Sequence, residues 1–283
     1  MSRNALDTPL TGTITVANRL RTVVRRTRLT ASLVVVFSNL LSGTVSAESG
    51  VDELRTRIER GYEQRDLASI EAARVVLLGL TTNPGGSPEY ATRLAYYAAY
   101  ARFRQALTVP SVRALAPLYL EDCIAELRLV VRRQPGNAEA HALLGSCYGM
   151  STLYSVLGTV TRGLEARRQM ALARRLAPDN PWVVMQDGLA DWATPRLVGG
   201  NRELALAKLE RAAGLFTQAV TAGSDAASWG AAEAWQQLGL RYRELGRLEA
   251  AEAAIARARA LTPPFACRSP QQARRSRLRR SYR

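Results

Sequence analysis

Small residues at fixed intervals near the end of the chain restrict how that region can pack. Trp235, Leu238, Gly239, Tyr242 and Gly246 are followed by Ala251, Ile255, Ala258 and Pro263. Each position has a physical task in a helical hairpin. Gly239 and Ala251 let two helices approach closely, and Tyr242 and Ile255 fill the gap between them. Gly246 ends the first helix and Pro263 ends the second. Composition points the same way. Alanine, leucine and arginine dominate, aromatics make up 6% of the chain and β-branched runs are short, which favours helix because Ala, Leu and Arg lose little freedom there. The expected fold class is all-α, with almost no strand.

These spacings resemble the tetratricopeptide-repeat (TPR) pattern, which runs over about 34 residues. In the same register a second copy starts at Ala138, with Leu144, Gly145 and Tyr148 on its first helix and Ala166, Met170, Ala173 and Pro178 on its second. Its second helix arrives late, so residues 150–161 lengthen the hairpin or add a short turn. A third copy starts near Pro181, with Gly188 and then Ala205, Leu209 and Ala212, and carries an insertion at 194–201. Upstream, Leu94, Ala95 and Ala98 followed by Cys123, Leu127, Val130 and Pro135 read as a degenerate fourth copy. Residues 51–61 and 67–80 read as a capping hairpin. One hairpin cannot bury its apolar face alone, so neighbours stack. The expectation is a right-handed α-solenoid of TPR-type hairpins with inserted loops, spanning 48–267 and offering a concave face.

The segments 143–149, 177–181, 195–201 and 228–230 ahead of Trp235 are together similar to exported bacterial TPR proteins of unassigned activity. The Pro195, Gly199, Gly200, Asn201 insertion is also similar to periplasmic TPR proteins associated with TRAP-type transporters. The resemblance covers about 120–265 and implies a non-enzymatic protein that binds a protein or peptide partner on its concave face. The alternative it implies is a ligand-handling accessory component of a periplasmic solute transport system, holding an apolar small ligand.

At the other end, Arg25, Arg26 and Arg28 precede an apolar stretch at 29–41 and small residues at Val45 and Ala47. This is the pattern of a secretory signal, read here as 1–47 with cleavage after Ala47 and export to the periplasm. The apolar run is shorter than the roughly 20 residues a membrane-spanning helix needs. The region before Arg19 is long for a signal, so translation starting near Val23 or Val24 is a second reading.

The net charge of +15 sits mostly at the ends: +5 within 1–28 and +7 within 268–283, leaving +3 for 29–267. The body is near neutral, so no nucleic-acid partner is expected for it. The basic tail 268–283 reads as a disordered appendage, and membrane contact is expected only through it or the export segment. Three cysteines remain, Cys123, Cys147 and Cys267. Cys123 and Cys147 fall on successive helices, so a bridge is geometrically conceivable, but buried free thiols are the favoured reading. With one histidine, His141, and no Cys/His cluster, zinc and haem lack their usual ligands. No cofactor and no metal are expected, and no catalytic group is assigned. His141 itself reads as a surface residue.

In the TPR register, concave-face positions of the third copy are Trp182, Met185, Leu189 and Trp192. These form an apolar stripe that fits an apolar ligand or amphipathic helix unless it is core. The second copy places Glu139, Ala142, Ser146 and Gly149 there. The last places Glu233, Gln236, Leu240 and Arg243, of which Gln236 and Arg243 join the stripe as candidate partner contacts. Asp187 and Asp191 replace apolar positions on one helix face and call for a partner such as an arginine or for a locally opened packing. Gly199 and Gly200 are read as a turn requirement rather than a phosphate cradle.

Overall fold

The computed structural model describes residues 47–82, 87–108, 115–154, 159–223 and 225–261, without the side chains of 47–49 and 225–229. Residues up to 46, which include most of the segment read as an export signal, lie outside the described residues, as do Pro263, Cys267 and the basic tail. The helical array belongs to the unit that begins at Ala47.

Ten α-helices form five hairpins among the described residues: α1 (Ala47–Gln64) with α2 (Leu67–Thr82), α3 (Pro88–Thr108) with α4 (Leu115–Arg133), α5 (Ala138–Ser151) with α6 (Thr159–Leu176), α7 (Pro181–Ala193) with α8 (Arg202–Thr221), and α9 (Asp225–Glu244) with α10 (Leu248–Leu261). The described residues contain no strand. The helices start where local chemistry satisfies their first backbone N–H groups. The Asn137 side chain accepts from Ala140 N, Asn180 accepts from Trp182 N and Val183 N, and Asn201 accepts from Leu204 N. Gly246, at φ 75°, closes α9.

The small residues do what their spacing requires. A Cβ on Gly145 would lie 3.0 Å from Ala166 O, one on Gly188 3.1 Å from the Leu209 side chain, and one on Gly239 2.7 Å from Ile255 Cγ1 and 3.2 Å from Ala251 O. In all three hairpins the first helix touches the backbone or the packed side chain of the second. Gly61 plays the same part in α1, where an added Cβ would lie 2.7 Å from Ile70 Cγ1, so this first hairpin is built like the others. The degenerate copy also packs as expected, with Leu94, Ala98, Cys123, Leu127 and Val130 buried.

Consecutive hairpins stack. Each second helix except α6 packs well against the first helix that follows, and the first helices α1, α3, α5 and α7 pack side by side. The core is therefore a continuous seam, with Ile58, Ile70, Leu77, Leu94, Leu127 and Leu144 in its first half and Met185, Leu209, Phe216 and Leu238 in its second.

Several expectations need correction. Cys123 and Cys147 are not free thiols but a disulfide, with Cα atoms 6.5 Å apart. The stacking of α4 on α5 brings both into the seam, where each is fully buried. His141 is buried, not on the surface, because its ring sits between Gln169 Oε1 at 2.6 Å and Pro135 O at 2.9 Å. Both ring nitrogens therefore lie within hydrogen-bond distance of an oxygen of the fold. The insertion after α5 is a turn over 152–154 leading into 155–158, which lies outside the described residues. The insertion at 194–201 forms a 3-10 turn, Arg196–Val198, tied to α6 by Arg167, which donates to Val198 O. Here Gly199 has φ 96°, and a Cβ on Gly200 would collide with Thr194 O. Both glycines are demanded by the turn.

Candidate functional site: the inner row of first helices

The first helices α1, α3, α5, α7 and α9 carry the register positions expected to line the concave face. In the third copy those positions do not form an open apolar stripe. Met185 is fully buried and Trp192 is 9% exposed, while Trp182 and Leu189 are partly buried. Met185, Trp182 and Leu189 pack with Leu206, Leu209, Phe216, Ala234 and Leu238 from α8 and α9. The Trp182 ring meets Phe216 edge-on at 5.2 Å. Trp192 is clamped between two cations, Arg202 at 5.2 Å and Arg241 at 5.4 Å from its ring centre, and its indole N–H donates to Glu244 Oε2 at 3.0 Å. The insertion does not cover the stripe. The next hairpin does, because α9 lies close enough for its own side chains to reach α7.

Gln236 and Arg243, by contrast, are exposed on α9. Between α5 and α7 the row is stitched by polar contacts: Asn180 Nδ2 donates to Glu139 Oε1 at 2.9 Å, and Ser146 Oγ donates to the largely buried Gln186 at 2.7 Å. Of the two explanations for the paired aspartates, a charged partner and an opened packing, the structure has the first. Buried Asp187 receives Arg174 from α6 at 2.7 Å and Lys208 from α8 at 2.6 Å, and Lys208 also reaches Asp191 at 2.6 Å. Asp187 joins its hairpin to the one before through Arg174, while Lys208 ties both carboxylates within the hairpin of α7 and α8.

The strongest electrostatic feature of the row was not foreseen from sequence. Arg104 on α3, 2% exposed, lies between Glu59 on α1 and Glu233 on α9. Its Nη1 and Nη2 donate to the two Glu233 oxygens at 2.7 and 2.5 Å. Its Nη2 and Nε also reach Glu59, at 3.0 and 3.2 Å. Nε donates to the Tyr100 hydroxyl at 2.7 Å, and that hydroxyl donates onward to Glu59. The guanidinium rests over the rings of Tyr62 at 4.4 Å and Tyr100 at 4.9 Å, a desolvated cation–π arrangement.

One arginine between two carboxylates leaves an excess negative charge out of water. Burial pushes Glu59 up to about 7, against the pull of Arg104 and with a further push from Glu233. Burial also raises the Tyr100 hydroxyl well above the ordinary tyrosine range. For Arg104, burial acts downward, but Glu233 and Glu59 outweigh it and hold the guanidinium well above its usual value. The sequence signal for this cluster is slight: Arg104 stands with Arg102 and Gln105 at the end of the run of Ala, Leu, Tyr and Phe from Leu94 to Leu107. Its partners are unreadable in sequence because Glu233 lies 129 residues away.

No family model matches the chain, and no curated protein matches it in sequence. Among solved structures it is similar to a thermophilic TPR protein of Thermus thermophilus, with a TM-score of 0.50 and 19% identity over 77% of this chain and 93% of that one. The chain is an all-α array of TPR-type hairpins.

Proposed function

We propose that this protein is a non-enzymatic interaction protein of the bacterial cell envelope, which binds a protein or peptide partner on its row of first helices. The observation that carries the reading is the consecutive stacking of hairpins into one array, with Gln236 and Arg243 left exposed at inner-row positions of α9. Such arrays present an extended surface on which a partner is held by many weak contacts. The buried Cys123–Cys147 disulfide supports the envelope location, since structural disulfides persist in oxidising compartments. The export pattern at 25–47 supports it independently. Trp182, Met185, Leu189 and Trp192 act in this reading as the support that fixes α9 in place, not as the contact surface.

The test is affinity capture from an envelope extract with wild-type protein and a Gln236→Ala/Arg243→Glu variant of equal helical content. A partner retained by the wild type and lost by the variant supports the proposal. Equal capture by both, or equal capture by an unrelated helical array, sinks it. The transport-accessory alternative calls for an enclosed apolar cavity. The cavity of about 520 Å³ between α4, α5 and α6 is open to solvent and has four arginines among its ten lining residues, so the partner-binding reading is preferred.

A further inference from the structure

Apart from the Arg104 cluster, the array holds a cavity of about 520 Å³ that α4 and α6 flank and whose floor is α5. Leu144 and Tyr148 form the floor. Arg128, Val131 and Arg132 line the α4 side, and Thr161, Arg162, Glu165, Arg168 and Gln169 line the α6 side. Four arginines thus line one cavity with one glutamate. Two of the four are tied: Arg162 pairs with Glu121, and Arg168 stands 3.9 Å from Glu165. Arg128 and Arg132 are exposed, four residues apart on the same helix face, and have no ion pair among the described residues. Like charges at this spacing repel in an isolated helix. The Tyr148 hydroxyl lies within the field of Arg128, Glu165, Arg162 and Glu121.

We infer that this cavity binds a small polyvalent anion of the phosphate or carboxylate class, with Arg128 and Arg132 as its principal contacts and Tyr148 beneath it. Three observations point there. The volume falls within the roughly 300–1,000 Å³ usual for small-molecule sites. The guanidinium is a planar fork that matches two anionic oxygens at once, which suits convergent arginines to a multiply charged ligand. The floor supplies an apolar and aromatic surface for the uncharged part of such a ligand, so the site reads more than charge. Its arginines lie on the second helices α4 and α6, away from Gln236 and Arg243 on α9, so it does not depend on the inner-row reading.

Isothermal titration of the full chain with inorganic pyrophosphate, and separately with citrate, tests this at an ionic strength held constant with sodium chloride. The expected result is saturable one-to-one binding of at least one probe, and the probe that binds identifies the class. Arg128→Gln/Arg132→Gln lowers that affinity roughly tenfold or more, as loss of charge-assisted hydrogen bonds requires, while Glu165→Gln raises it. The Arg168 side chain is 79% exposed; if the double variant does not fold, Arg168→Gln carries the test with a smaller loss. No saturable binding of either probe overturns the inference. Affinity unchanged in the arginine variants overturns it too, because the anion is then held elsewhere, as on the arginines of 268–283.

Discussion

Arg104 on α3 holds both carboxylate oxygens of Glu233 on α9, closing a contact across 129 residues of sequence. No local element produces this pair. It exists because the intervening hairpins curve enough to bring the last first-helix of the described array back to the second. The arginine is nearly inaccessible to water and shared with Glu59, so it acts as a latch between the two ends of the seam.

Removing the latch's centre strands two buried acids. Arg104→Ala is expected to destabilise the fold by about 3–5 kcal/mol, the range for breaking a buried ion pair by deleting one partner. Urea denaturation followed by circular dichroism measures it. A loss under about 1 kcal/mol, the scale of an exposed pair, would mean the three side chains do not form a buried network.

The same cluster sets a pH dependence with a definite sign. Glu59 is raised in the fold to about 7 from 4.5, so between these values the folded state holds a proton that the unfolded chain has released. Its contribution to stability is complete below about pH 4.5 and is lost as pH rises through about 7. Glu63 beside Glu233 is also raised, by burial first, and acts in the same direction. The expected outcome is lower stability at about pH 8 than at about pH 5.5, with a Glu59→Gln variant showing a flatter profile. A slope in Glu59→Gln identical to wild type would remove Glu59 as its source.

The disulfide closes a loop of sequence separation 24 between Cys123 and Cys147. Chain entropy alone assigns such a loop about 3 kcal/mol. Cys123→Ala/Cys147→Ala is expected to lose about that much, and a reductant should lower the denaturation midpoint of the wild type but not of the variant. Insensitivity of the wild type to reductant would contradict the bridge.

Trp192 shows how a residue that reads as a binding contact behaves when it is core. Clamped by Arg202, Arg241 and Glu244, it is expected to cost about 3 kcal/mol when replaced by alanine, the lower end for large aromatic truncations. The thermal midpoint of Trp192→Ala checks this. An unchanged midpoint would return the side chain to the candidate contact surface.

Two glycines separate packing from propensity. Gly239→Ala drives a methyl against Ile255 and Ala251 O and is expected to cost about 1–3 kcal/mol through overpacking. Gly163 lies within α6 with nothing within 4 Å of an added Cβ. Gly163→Ala should stabilise by about 0.5–1 kcal/mol, because alanine loses less backbone freedom in a helix. Paired denaturation curves decide, and like signs for the two would defeat the register assigned to Gly239.

The hairpins were legible because their determinants are local and repeated. Gly145, Gly188 and Gly239 each sit one hairpin's span from the residues they touch, and Gly246 ends a helix by its own backbone geometry. Even Asp187, out of place on an apolar face, called for a charged partner or an opened packing, and Arg174 and Lys208 provide the first.

What the tertiary structure alone decided is which distant surfaces meet. Curvature is the sum of small rotations between neighbouring hairpins, so the meeting of Arg104 with Glu233, and of Trp192 with Arg241 and Glu244, depends on every intervening packing angle and insertion length. The same holds for Cys123 and Cys147, whose pairing rests on the stacking of α4 on α5, and for His141, buried by Gln169 from the next helix. Periodicity in the chain specifies which face of a helix is apolar. It does not specify whether that face meets solvent, a partner or the protein itself, because that is settled only when the array closes.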